Sequence, residues 1–189
     1  MDVFEVIKTR RSIRNYKPDP VSDRDLYAIM EAARWAPSWA NTQCVRWIVV
    51  TDKQIKAQLV EVLAPNNPSR GAVAGAPIVI VACAELKRSG YKGGEVTTDK
   101  GDWFMFDVAL GVQNLTLSAH ALGLGTVQVG LFDAVKAAKV LKVPEGYAVV
   151  EIIPLGYPAV VGKAPARKEL AEILYYETFG TTHRHISST

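Results

Sequence analysis

Cysteine is scarce in this chain: Cys44 and Cys83 are the only two, far apart and in no C-x-x-C spacing. That excludes a disulfide framework or a paired-cysteine metal or redox motif, and leaves two reduced thiols, Cys83 as a plain core residue of a buried strand. Long apolar runs are missing too. No stretch approaches the roughly eighteen consecutive apolar residues of a membrane-crossing helix. The first fifteen positions hold Asp2, Glu5, Lys8, Arg10, Arg11 and Arg14 where a secretory signal would hold an apolar core. The expectation is a cytoplasmic protein with no membrane contact. Charge of one sign is nearly balanced: a net +3 and a pI near 8.8 fall short of a nucleic-acid binder.

Several catalytic patterns are absent as well. No Ser-His-Asp or Cys-His set stands out. Gly123-x-Gly125 is followed by Gly130 and comes after a helix, so it is a poor dinucleotide fingerprint and better suited to helix capping and close packing. His183 and His185 lie in a Ser/Thr-rich end and read as a tail rather than a metal site, and His120 reads as a satisfied core or interface histidine. There are no repeats, low-complexity segments or linkers. One domain over residues 1–180 is expected, with 181–189 as a C-terminal tail. A chain of this size buries about 70% of its unfolded surface, so it needs no metal or disulfide for stability.

What is present begins at residues 10–16, Arg-Arg-Ser-Ile-Arg-Asn-Tyr, just after an apolar face formed by Val3, Val6 and Ile7. Three guanidinium groups and a hydroxyl in so short a segment make an anion site, because arginine's rigid fork of donors matches phosphate or carboxylate oxygens in pairs. A solvated basic turn is the plainer reading of the cluster alone. Pro18 and Pro20 keep the chain extended. Ser22 with Asp25 then caps a helix striped by Leu26, Ile29, Met30 and Ala33. The next loop, Pro37-Ser38-Trp39-Ala40-Asn41-Thr42-Gln43, sets two amides beside a flat aromatic and leads to a buried strand at 47–51. Asp52 caps a helix along Ile55, Leu59 and Leu63, broken at 65–68, and 78–84 is a second buried strand. Residues 85–100, rich in glycine and charge without periodicity, predict a mobile surface loop. Residues 103–122 predict the longest helix, apolar on nearly every face and interrupted by Asp107, Gln113, Asn114 and His120, with Gly123 in its left-handed cap. Strands at 126–129 and 148–155 flank a short helix at 133–141. This order does not alternate as a Rossmann chain does, and predicts an α+β fold.

The order of a basic opening segment, a helix and Pro-Ser-x-x-Asn-x-Gln running into a strand resembles the nitroreductase family of FMN-dependent oxidoreductases. Gly123-Leu124-Gly125-Thr126, Pro154-Leu155-Gly156-Tyr157-Pro158 and the late pair Arg167-Lys168 extend the resemblance from residue 10 to residue 168. It implies a mixed β-sheet flanked by helices, in three α-β-α layers. It also implies a homodimer whose flavin sites lie at the subunit interface. Arg10, Arg11 and Ser12, joined by Arg167 and Lys168, would hold the FMN phosphate and ribityl oxygens, with Arg14 toward the pyrimidine edge. Pro154, Leu155 and Gly156 would run beneath the ring, where a Cβ on the glycine would block close approach. Pro37, Ser38, Trp39, Asn41 and Gln43 would reach the partner's flavin. With flavin N5 carrying the hydride, no side chain is needed as acid or base. NADH or NADPH would be the donor, and the acceptor a small aromatic such as a nitroaromatic or a quinone, in a ping-pong scheme.

The chain departs from the family pattern after Gln43, where Cys44-Val45 replaces the commoner Pro-Trp and puts the usual substrate preference in doubt. Arg70 is a further cation considered for the flavin. Two alternatives accompany this reading. One is a specialised relative that fragments flavin, removes halogen reductively or dehydrogenates heterocycles. The other is a non-catalytic module binding a phosphate ligand or RNA, against which stands the separation of aromatics from the basic cluster.

Overall fold

The computed structural model describes residues 2–182; His183 and His185 lie outside them. A sheet of four strands, in the order β1-β2-β6-β5, organises the chain. These are β1 (Val45–Val50), β2 (Ile78–Glu85), β5 (Gly125–Thr126) and β6 (Tyr147–Gly156). All three pairings are antiparallel, and among the described residues the one parallel bridge joins Ser12 and Thr126. β2 is apolar on both faces because both are covered. Val79, Val81 and Cys83 point to one core, and Ile78, Ile80, Ala82 and Ala84 to the other.

The first core is closed by α3 (Lys53–Glu61), α4 (Arg70–Gly75) and α6 (Ala134–Val140), through Leu59, Val73 and Ala137. The second is closed by α2 (Asp23–Arg34) and α5 (Phe104–Ala121), through Ile29, Val108, Val112 and Leu115. The result is the three-layer α-β-α arrangement. Asn114 Nδ2 donates to the Ala32 carbonyl at 3.1 Å and ties α5 to α2. The caps fall where the side chains predict them: Ser22, Asp52 and Asp133 each accept from backbone N–H groups of the helix they open. Gly123 takes φ +79° after α5, the left-handed conformation that a side chain disfavours. Among the described residues no helix is long and apolar enough to cross a membrane.

Two expectations need correction. The strand expected at 126–129 is the two-residue β5, followed by an isolated bridge from Val129 to Ile152. The segment 85–100 is not structureless: β3 (Tyr91–Lys92) and β4 (Glu95–Val96) form a small hairpin. The short helix α4 at 70–75 adds an element to those expected, between the break at 65–68 and the strand that follows; the first helix, α1, spans Val3–Thr9.

Candidate active site

The basic segment after α1 is seated on the end of the sheet. Ile13 N–H donates to the Thr126 carbonyl at 2.8 Å, and Lys17 N–H to the Tyr157 carbonyl at 2.9 Å. The Tyr16 hydroxyl donates toward the carbonyls of Ile13 at 2.7 Å and Pro154 at 3.1 Å. Burial raises this phenol's pKa, against the pull of Arg14. Two glycines allow the approach. A Cβ at Gly125 would lie 2.4 Å from Cγ1 of buried Ile13, and one at Gly156 would lie 2.6 Å from the Pro77 ring and 3.1 Å from Tyr16. Ser12 and Ile13 therefore lie against Gly125 and Thr126, and Tyr16 against Pro154 and Gly156, although these are distant in sequence.

Arg167 closes the group. Burial lowers the Arg10 pKa, and the positive charges of Arg11 and Arg167 lower it further, so these three guanidinium groups share one neighbourhood. Arg11 also donates to the Lys8 and Arg10 carbonyls at the end of α1. Ser12, Arg14, Arg167 and Lys168 are exposed. Among the described residues, none of Arg10, Arg11, Arg14, Arg167 and Lys168 takes part in an ion pair. Like charges held together without a carboxylate fit an anion of high charge. His120, at the end of α5, shares this corner. Its Nε2 lies 2.9 Å from the Thr9 hydroxyl, and burial with Arg10 and Arg11 lowers its pKa.

The second element is Pro37–Gln43, and it sits elsewhere in the chain. Trp39–Asn41 is a 3-10 turn, with Ala40, Asn41 and Gln43 at φ +46°, +55° and +50°. Ser38 Oγ accepts the Gln43 N–H at 2.9 Å. Pro37, Ser38 and Gln43 line a cavity of about 610 Å³ walled by Met30, Trp47 and Asp107. Lys92 of the hairpin stands 5.9 Å from the centre of the Trp39 ring, within cation–π range. Among the described residues, no hydrogen bond or ion pair joins this loop to the basic segment or to Pro154–Gly156 of the same chain.

Two residues of this arrangement received no role from the sequence. Tyr16 stood in the basic motif, and Asp107 showed only as an acid inside an apolar helix. Asp107 is 1% exposed and accepts the Trp39 N–H at 2.9 Å. Arg70 is corrected: it donates to the Val60 and Leu63 carbonyls and pairs with Glu61, which commits it to α3 and its end.

Comparison with known proteins identifies the family. The nitroreductase family model matches residues 7–74 and 65–157. A Methanothermobacter thermautotrophicus protein named a putative NADH dehydrogenase/NAD(P)H nitroreductase is 34% identical, over 84% of this chain and 78% of its own. The FMN reductase [NAD(P)H] of Bacillus subtilis is 28% identical over 94% of this chain and 74% of its own. Among solved structures, a nitroreductase family protein from Clostridium difficile superposes with a TM-score of 0.81 at 26% identity, covering 94% of this chain and 99% of that one. Since the matched span takes in the basic segment, the strained turn and the Pro154–Gly156 strand end together, the chain belongs to the nitroreductase family.

Proposed function

We propose that this chain is an FMN-dependent oxidoreductase, working as a homodimer in the cytoplasm, that transfers hydride from NAD(P)H to flat electron-poor acceptors such as nitroaromatics or quinones. The convergence of Arg10, Arg11 and Arg167, with Tyr16 of the basic segment packed against Gly156, carries the reading. The donor set suits a phosphate of charge near −2 at one end and an aromatic ring over backbone at the other. When bound, FMN supplies the N5 that takes hydride from the donor and gives it to the acceptor.

The chain's own residues divide the binding. Arg10, Arg11, Ser12, Arg167 and Lys168 hold the phosphate and ribityl oxygens. Arg14 stands at the pyrimidine edge. Pro154, Leu155 and Gly156 present backbone to the ring. Pro37, Ser38, Trp39, Asn41 and Gln43 meet the flavin of a second copy, which accounts for their separation from the phosphate end within one chain. A second copy is supported by the carboxy-terminal segment, where Val160, Val161, Leu170, Ile173 and Phe179 are exposed, Phe179 to 92%. The flavin-binding unit spans 1–180.

Light scattering combined with absorbance tests this. The expected result is a yellow particle of about twice the 20.6 kDa chain mass that releases FMN on denaturation. A colourless protein with no affinity for added FMN would overturn it, and an active flavin-loaded monomer would overturn the role of residues 37–43.

Arg14 and the phosphate cations are expected to behave differently. A cation at the pyrimidine edge favours the negative charge that reduction brings there, so Arg14→Ala should lower the flavin's two-electron potential. A lost preference of ~1.4 kcal/mol corresponds to roughly 30 mV. Arg167→Ala and Lys168→Ala remove an attraction common to both redox states and should leave the potential nearly unchanged. Redox titration of the three variants in excess FMN compares them; equal potentials would remove Arg14 from this role.

A further inference from the structure

The Pro37–Gln43 loop does not hold its own shape. Three of its non-glycine residues, Ala40, Asn41 and Gln43, have positive φ, a region side chains disfavour. Its internal support is one side-chain bond, from Gln43 N–H to Ser38 Oγ, and the short backbone bonds of its turn. From outside, Arg46 Nη1 donates to the Gln43 carbonyl at 2.8 Å and Lys92 stands over the Trp39 ring. The support that reaches the turn from the buried side comes from one carboxyl group. Asp107 Oδ1 accepts the Trp39 N–H at 2.9 Å, and Oδ2 accepts from the Thr42 hydroxyl and the Cys44 thiol, each at 3.4 Å. Donors from the start, the end and the exit of the turn thus meet on a side chain that is 1% exposed.

An acid at that place contributes nothing to the apolar packing of α5, whose next inward residues are Val108, Val112 and Leu115. Burying it is unfavourable unless it is hydrogen-bonded, and all the hydrogen-bonding partners it has here belong to the loop and its exit. The Cys44 thiol shows the closeness from the other side: burial, the Asp107 charge and its hydrogen bond push its pKa up to about 12. Asp107 also lines the cavity below Ser38 and Gln43.

We infer that Asp107 is the positioning residue of the acceptor face: by gathering Trp39, Thr42 and Cys44 it fixes how Trp39, Asn41 and Gln43 are presented to the flavin of the second copy and to the acceptor stacked on it. This rests on the proposed function for the identity of what the loop faces. The anchoring itself does not. It acts at the opposite end of the ligand from the phosphate cations, so acceptor recognition and FMN retention should separate when Asp107 is changed.

Asp107→Asn is the direct test. It keeps side-chain size and an oxygen for the Trp39 N–H, but turns Oδ2 into a donor facing the Thr42 hydroxyl and the Cys44 thiol. With a soluble quinone as acceptor and the intact dimer, KM is expected to rise about tenfold, the signature of lost binding common to the ground and transition states. The kcat should stay within about twofold, and the FMN dissociation constant within about threefold. Independently of flavin, one thiol should become reactive toward a disulfide reagent at pH 8 in the folded apoprotein, whereas both are protected in the unsubstituted chain. Should the variant fail to fold, Thr42→Val with Cys44→Ala keeps the acid, removes both Oδ2 donors and should raise KM in the same direction. An unchanged KM in a folded variant, with or without exposure of Cys44, would overturn the inference, as would loss of FMN in step with KM. If the unsubstituted protein binds no FMN, the functional reading fails while the thiol-protection difference still reports on the anchor.

Discussion

Gly125→Ala is expected to destabilise the protein by about 1–3 kcal/mol, the usual cost of overpacking, and to lower its melting temperature by roughly 3–10 °C. The added methyl group would sit 2.4 Å from Cγ1 and 2.8 Å from Cβ of Ile13, and 3.1 Å from the Pro158 ring. Ile13 cannot step aside cheaply, because it is 3% exposed and its N–H is bonded to the Thr126 carbonyl. Relief must therefore lift the basic segment off the sheet end, so FMN affinity should fall together with stability. Ile13→Val in the Gly125→Ala background returns part of the space and should recover part of both. Gly123→Ala is the contrast: it meets open space and suffers only the cost of positive φ, about 1 kcal/mol. Thermal melts with and without FMN compare them, and a Gly125→Ala variant as stable as the parent would contradict the seating of residues 12–14.

Removing Arg10 and Arg167 together should weaken FMN binding by several orders of magnitude. A charge-assisted hydrogen bond contributes about 1.5–3 kcal/mol, so each single alanine variant should weaken binding by roughly 10–150-fold. The two changes will not simply add, because each cation also repels the other: the Arg10 pKa is lowered by Arg11 and Arg167. Removing one relieves that repulsion, so the apoprotein of each single variant should be as stable as the parent or slightly more so. Lys168→Ala should have the smallest effect of the set, because Lys168, unlike Arg167, is not among the charges that lower the Arg10 pKa. Fluorescence titration with FMN at two salt concentrations measures this. Affinity equal to the parent in the double variant would move the phosphate elsewhere.

Elements fixed by local pattern were legible in the sequence, and those fixed by partners were not. The run Ile78–Glu85 and the long helix Phe104–Ala121 have apolar patterns that admit few alternatives, and Ser22, Asp52 and Asp133 announce helix starts through their own chemistry. The hairpin of Tyr91–Lys92 with Glu95–Val96 is too short and too polar to show a period. β5 exists because Gly125 and Thr126 lie against Gly156 and Leu155, a pairing between distant residues. At the site, the basic cluster was visible as a cluster, and Arg167 was tied to it only through the family resemblance, because no local pattern links residues so far apart. Arg70 looked equivalent by charge, yet the carbonyls of Val60 and Leu63 claim it. Asp107 was visible only as a misplaced acid. Its meaning lies in donors some sixty-five residues upstream, such as Thr42, which no local pattern reports.

The most direct test of the central claim is an anaerobic titration of the purified protein followed by absorbance. One equivalent of NADH or NADPH per bound FMN should bleach the visible flavin band completely. One equivalent of quinone, added after the oxidised nicotinamide has been removed, should restore it without loss of FMN from the protein. A bound flavin that neither nicotinamide reduces, or one that is reduced but cannot be reoxidised by any quinone or nitroaromatic, would contradict the account.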